Sequence, residues 1–190
     1  MTHIFSSHPT LLNKHLYLEP SRKELGLWAF FLAFCLSATV ILALCFEHIG
    51  GYLPCDLCLI ERLPYYGALP FLILAGFGAQ CSRMFSWVQL LFWCVFVLMS
   101  ISLVLAVYHA GVEYGFWPAP PSCGVGAIRR TTDVNQLFNR LNNIHPSSCS
   151  EAPMRFLFLS FAGWNAVASL FYMLVSFYVA SKGLLSYQKR

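Results

Sequence analysis

Charge is what this sequence has least of. Only 11% of its 190 residues are Asp, Glu, Lys or Arg and 58% are hydrophobic, whereas an ordinary soluble domain is about 25% charged. That balance excludes a water-soluble globular fold for the chain as a whole. Four stretches lack charged side chains entirely: Leu25 to Phe46, Leu63 to Ser82, Met84 to Tyr108 and Phe156 to Ser181. Each reaches the roughly 20 residues that a helix needs to cross the hydrocarbon core. The alternation expected of barrel strands is missing, so each run should satisfy its own backbone hydrogen bonds as a helix. The second run holds Pro64, Gly67, Pro70, Gly76 and Gly78, which membrane helices tolerate, around an apolar interior from Phe71 to Ala75. Met1 to Glu24 lacks a short apolar core followed by a small-residue cleavage site, so no removable signal peptide is expected. The expected fold is all-α, a four-helix transmembrane bundle with helices at about 25–46, 63–82, 84–108 and 156–181. Loops 47–62 and 109–155 join them, and polar tails 1–24 and 182–190 flank them.

Four crossings put the segment between runs one and two on the same face as the segment between runs three and four. Cys55 and Cys58 lie in the first of these segments, Cys123 and Cys149 in the second. With both termini inside, the inner face carries Lys14, Arg22, Lys23, Arg83, Lys182, Lys189 and Arg190. The outer face carries Arg62, Arg129, Arg130, Arg140 and Arg155. Seven against five favours cytoplasmic termini. Disulfides persist outside the cytosol, which supports the same orientation.

The segment from His109 to Arg155 is too long for a tight turn and too short for an ordinary domain. Within it Val134, Leu137, Phe138, Leu141 and Ile144 recur at helical spacing among Arg130, Asn135, Gln136, Arg140 and Asn143. This pattern predicts a short amphipathic helix, with Thr132 or Asp133 suited to its N-cap, resting on the membrane surface or on the bundle. Pro118, Pro120, Pro121, Gly124 and Gly126 surround Cys123. Such a stretch resists regular structure and should leave Cys123 accessible to another protein.

Cys55, Asp56, Leu57 and Cys58 form a Cys-x-x-Cys, which can close a small disulfide ring and exchange it through a thiolate. Arg62 follows Cys58 by four residues, one helical turn, where a guanidinium favours the thiolate over the thiol. Metal is the competing use, because Cys-x-x-Cys is also half of a structural zinc site. Its other half would be Cys123 and Cys149, which are separated by residues 124–148 and form no second short knuckle. No His follows Cys58 as haem attachment requires. No metal is therefore expected. Cys35, Cys45, Cys81 and Cys94 read as small apolar packing residues.

The stretch GYLPCDLCLIERLPYY at Gly51 to Tyr66 resembles the signature of the DsbB family of disulfide-bond formation proteins. The likeness continues in YHAGVEYGFWP at Tyr108 to Pro118, in Cys123 and Cys149, and in AGWN at Ala162 to Asn165. DsbI-like relatives share much of the pattern. The resemblance implies a membrane enzyme that reoxidises a periplasmic DsbA-like thioredoxin-fold oxidase and passes the electrons to a quinone. It implies Cys123 as the sulfur attacked by the partner and Cys149 as its disulfide mate. It further implies Cys55 and Cys58 as the pair that reoxidises the loop, Cys58 as the quinone-facing thiolate, and Glu61, Arg62 and His109 at the quinone site. Ubiquinone and menaquinone both suit it, the lipid and quinone pool are its surroundings, and no nucleic-acid partner is expected.

Asp56 places a negative charge inside the Cys-x-x-Cys, which should disfavour the thiolate and make the pair more reducing. The polar N-terminal segment with His3, His8 and His15 has no counterpart in the resemblance. Two other readings follow from the residues. A structural membrane protein braced by loop disulfides would lose stability, but no quinone reduction, on replacement of Cys55 and Cys58. A metal-handling membrane protein would purify with thiolate-bound zinc.

Overall fold

The computed structural model describes residues 22–52, 54–81, 85–120, 123, 149–150 and 155–187. Among these are four long helices: α1 (Arg22–His48), α2 (Asp56–Gly78), α3 (Phe85–Glu113) and α4 (Phe161–Tyr187). All four are long and apolar enough to cross a membrane. The proposed amphipathic helix around Val134 to Ile144 lies outside the described residues, as do most of the N-terminal tail and the last three residues.

At the end that carries the cysteines α2 and α3 outrun the charge-free stretches that predict them, while α2 stops at Gly78, short of the expected residue 82. α2 starts at Asp56, not near residue 63, and α3 continues past Tyr108 to Glu113. Absence of charge marks the part of a helix inside hydrocarbon, while the helix itself extends into the interface, where Glu61, Arg62 and Glu113 can be carried. The opposite difference occurs before α4. Residues 156–160, expected to be helical, belong instead to a hairpin of two short antiparallel strands, β1 (Arg155–Phe156) and β2 (Leu159–Ser160). Arg155 pairs with Ser160 and Phe156 with Leu159. Ser160 Oγ accepts from Gly163 N at 3.1 Å, which satisfies one of the free amides of the first helical turn and sets where α4 begins.

The core is assembled from one stripe of each helix. Leu25, Ala29, Leu32 and Leu36 of α1 face Tyr65, Ala68, Leu72 and Ala75 of α2, with Val88, Phe92, Val95 and Met99 of α3 and Tyr172, Val179 and Ala180 of α4. In α1, α2 and α3 these residues recur every three or four positions, the spacing that keeps side chains on one helical face. The outward faces are just as apolar: Leu27, Phe34, Ile41, Leu63, Trp87 and Val104 are all exposed. A lipid solvent accounts for that, and it also means apolar burial alone gives the helices little reason to associate. Small residues and hydrogen bonds supply the reason. A Cβ at Gly76 would lie 2.8 Å from the Phe30 ring, so the missing side chain is what lets α1 approach α2. Thr39 Oγ1 meets Tyr172 Oη at 2.7 Å between α1 and α4, and Ser102 Oγ meets Ser169 Oγ at 2.8 Å between α3 and α4.

At one end of the bundle the connection after α1 turns through Gly51, whose φ of +71° suits glycine, and delivers Cys55 to the start of α2. The same end receives the C-terminus of α3. Cys55, Leu57, Val112 and Cys149 form a second buried cluster there, with Cys58, Ala119 and Cys123 packed on it.

Candidate redox site

The site begins as a helix cap. Cys55 is the N-cap of α2, with φ −76° and ψ 166°, and its Sγ accepts from Cys58 N at 3.2 Å. Spacing dictates this: the N-cap side chain reaches the amide three residues on, and the second cysteine of a Cys-x-x-Cys is that residue. A sulfur held there faces the positive end of the helix dipole. The two sulfurs stand 2.6 Å apart, so the pair is placed to close into a disulfide. Cys55 lies just outside the membrane-spanning part of α2, and its thiol is lowered from 9.0 to about 5. The hydrogen bond from the Cys58 thiol is the largest cause. Burial opposes it, and the hydrogen bond and charge of His109 and the Cys58 amide reinforce it.

His109 comes from the last turns of α3. Its Nε2 is 3.6 Å from Cys55 Sγ, and its Nδ1–H donates to Glu61 Oε1 at 2.7 Å. The carboxylate thereby orients the ring so that Nε2 addresses the sulfur, the arrangement by which an acid, an imidazole and a nucleophile act together. Asn165 of α4 donates from Nδ2 to Glu61 Oε2 at 2.6 Å, and its Oδ1 accepts from Tyr65 Oη at 2.6 Å. Tyr65 also meets Ser169 at 2.9 Å. Glu61 is only 5% exposed, yet both carboxylate oxygens are engaged, as a buried carboxylate requires.

Cys123 and Cys149 form a disulfide, with their Cα atoms 5.6 Å apart. Cys149 is buried and Cys123 half-buried, and both pack in the cluster that contains Cys55. The chain reaches Cys123 through an aromatic strap. Trp117 stacks on Tyr108 with centroids 5.8 Å apart and 9° between the planes, and its Nε1–H donates to Tyr108 O at 2.7 Å.

A profile of the family described as disulfide bond formation protein DsbB matches residues 25–179. The chain belongs to the DsbB family. Disulfide bond formation protein B of Marinobacter nauticus is 29% identical to it over 151 residues, covering 74% of this chain and 83% of that protein. Family membership and four membrane-length helices make this a multi-pass membrane protein of disulfide bond formation.

Within this DsbB-family bundle the residues singled out in the sequence occupy one end, but their pairing differs from what helical spacing suggested. Arg62 does not find its hydrogen-bond partner in Cys58. Its Nη1 donates to Glu47 Oε2 of α1 at 2.5 Å, and the groups that favour a thiolate gather on Cys55. The reason is local: with Cys55 as the cap, its sulfur lies over the open end of the helix while Arg62 is more than one turn further in. Glu47, Glu113 and the role of Asn165 were not picked out in the sequence. Asn165 carried a signal in AGWN and Glu113 in YHAGVEYGFWP, whereas Glu47 is a single acid at a helix end with no motif. Tyr65, an aromatic within the signature stretch, is buried and turned into the bundle through its hydroxyl. Cys35, Cys45, Cys81 and Cys94 are free cysteines, Cys45 and Cys81 on exposed faces.

Proposed function

We propose that the protein carries electrons from a periplasmic DsbA-like oxidase to a membrane quinone through its two cysteine pairs. The partner's dithiol is oxidised as the Cys123–Cys149 disulfide is reduced, with Cys123 the sulfur it attacks. The resulting loop dithiol reduces a Cys55–Cys58 disulfide and becomes a disulfide again. The Cys55–Cys58 dithiol then gives two electrons and two protons to the quinone and re-forms its own disulfide. The observation that carries this reading is the packing of the loop disulfide against Cys55 in one buried cluster. Thiol exchange requires the attacking sulfur to reach its target directly, and that packing supplies the proximity.

The quinone, as ubiquinone or menaquinone, supplies the two-electron oxidant. The residues around the pair fit such a group: Leu59, Ile60 and Leu63 present apolar side chains outward on the first turns of α2, and Arg62 and His109 are the donors for ring carbonyls. In this assignment Cys58 faces the quinone, and Cys55, held as thiolate by Cys58 and His109, is the nucleophile that closes the disulfide. Glu61 fixes the His109 ring and returns its proton. The inner membrane, with both termini cytoplasmic and the cysteine pairs periplasmic, is the location that suits this reaction.

Purified protein mixed with a reduced DsbA-like protein and ubiquinone should reduce the quinone, and Cys58→Ser should not. Undiminished reduction by Cys58→Ser would remove that thiol from the path. Cys149→Ser should let a mixed disulfide between Cys123 and the partner accumulate, and failure to trap it would count against Cys123 as the entry point.

A further inference from the structure

We propose that the reduced Cys55–Cys58 pair is also a site for Zn2+, closed to the metal when the pair is oxidised. Cys55 Sγ, Cys58 Sγ and a ring nitrogen of His109 lie within 4.8 Å of one another. Three ligands of the types zinc selects, two thiols and an imidazole, therefore already face a common point. The hydrogen bond from His109 Nδ1–H to Glu61 Oε1 leaves Nε2 as the ligand atom. A carboxylate behind the imidazole is the usual support of a zinc histidine. Glu113 gives the independent pointer to a cation. Its Oε1 is 3.9 Å from His109 Nε2, its side chain is 4% exposed, and its Oε2 has no hydrogen-bond partner among the described residues. An unpartnered, buried carboxylate oxygen next to that imidazole is a costly arrangement that a dication resolves. Glu113 lies outside the 4.8 Å group formed by the two cysteines and the histidine, and rotation of its side chain toward them would supply the fourth ligand.

On a tetrahedral zinc the sulfurs stand about 3.8 Å apart, wider than their present 2.6 Å. The Cys-x-x-Cys accommodates that by side-chain rotation, as zinc knuckles of the same spacing do. Binding moves no electrons. Cys55 binds as the thiolate it already is, and the Cys58 thiol and the protonated His109 release one proton each to solvent, so that His109 binds as neutral imidazole. A disulfide offers neither thiolate, so only the dithiol state takes the metal, and while it is bound the sulfurs cannot close on each other. That last consequence, inhibition of electron transfer by zinc, rests on the function proposed above; the binding itself does not.

The test uses the full chain in detergent, with Cys123→Ser and Cys149→Ser so that Cys55 and Cys58 are the remaining close pair, reduced and freed of reductant. Co2+ is the probe, because tetrahedral thiolate coordination gives intense visible bands and a near-ultraviolet charge-transfer band, and Zn2+ should abolish both by displacing it. The expected result is one Co2+ per chain in the reduced protein and none after oxidation of the pair. His109→Ala and Glu113→Gln should each weaken binding about 10-fold or more, with helical content checked by circular dichroism. Absence of the tetrahedral spectrum in the reduced protein overturns the site, as does its persistence in Cys55→Ser with Cys58→Ser. Parent affinity in His109→Ala or Glu113→Gln overturns the four-ligand assignment. Quinone reduction by the chain with all its native cysteines separates the two readings: metal binding without activity sinks the relay and leaves the zinc site, and activity without metal binding does the reverse.

Discussion

Lowering of the Cys55 thiol to about 5 makes a prediction that depends on no partner or quinone. At pH 7 a thiol of ordinary acidity, near 8.5, is about 3% ionised, whereas one near 5 is about 99% ionised. The reduced protein should therefore alkylate at Cys55 with a rate that is flat from pH 9 down to pH 6 and falls only near pH 5. The contributors to that shift can be removed separately. Cys58→Ala deletes the thiol donor, the largest of them, and should move the midpoint up the most. His109→Ala deletes a hydrogen bond and a charge at 3.6 Å and should move it less. Cys58→Ser, which keeps an O–H donor, should fall between wild type and Cys58→Ala. The assay is iodoacetamide labelling resolved by mass spectrometry at each cysteine, with the loop pair replaced by serine. A wild-type midpoint at 8 or above would refute the arrangement of donors described here. The same ionisation has a consequence for folding. Because the folded value is depressed below the unfolded one, the stabilisation of the reduced protein is complete above about pH 9 and declines as the pH falls toward 5.

Two further substitutions address the scaffold. Gly111→Ala would put a Cβ 2.0 Å from Trp117 Cζ2, so the ring must shift; it should leave Tyr108 and slacken the segment leading to Cys123, read as a change in tryptophan emission and faster reduction of the loop disulfide by an external thiol. An unchanged reduction rate would show that the strap does not restrain the loop. Asn165→Leu leaves Glu61 Oε2 and Tyr65 Oη short of a partner, at a cost of about 1–3 kcal/mol, and should lower both thermal stability and the rate of quinone reduction. Wild-type stability in that variant would mean the buried carboxylate is satisfied some other way.

How legible the molecule was in its sequence varies with the range of the signal. The four helices are written in composition, since a membrane leaves a backbone no other choice over 20 apolar residues, and counting crossings brought both cysteine pairs to one face without any coordinates. The hairpin at residues 155–160 was illegible because Phe156, Leu157 and Phe158 are as apolar as the helix that follows. Two of them, Leu157 and Phe158, adopt positive φ of 50° and 69°, where glycine or asparagine would have been the turn signal. At the site, Cys-x-x-Cys and Arg62 were visible because their spacing is short. The contact of Arg62 with Glu47, and of Cys55 with His109, depends on how three helices are rotated against each other. No spacing within one helix carries that information. The amphipathic helix expected around Val134 to Ile144 lies outside the described residues.

The rotation of those helices has an identifiable cause, and it is the site itself. Lipid tails are as apolar as leucine side chains, so the stripes of the core allow several rotations at similar free energy. The polar contacts do not. Glu47 with Arg62 joins α1 to α2, Glu61 with His109 joins α2 to α3, and Glu61 with Asn165 joins α2 to α4. Each is directional, and Glu61 and His109 are buried, so a wrong rotation would leave a carboxylate or an imidazole unpaired with little water to replace its partner. The groups that orient His109 toward Cys55 are therefore the groups that hold the helices in register at this end of the bundle. Changes at Glu61 or Asn165 should alter the thiolate and the packing together, and a loss of activity in either variant is interpretable as chemistry only when its melting behaviour and its Cys55 titration are measured on the same preparation.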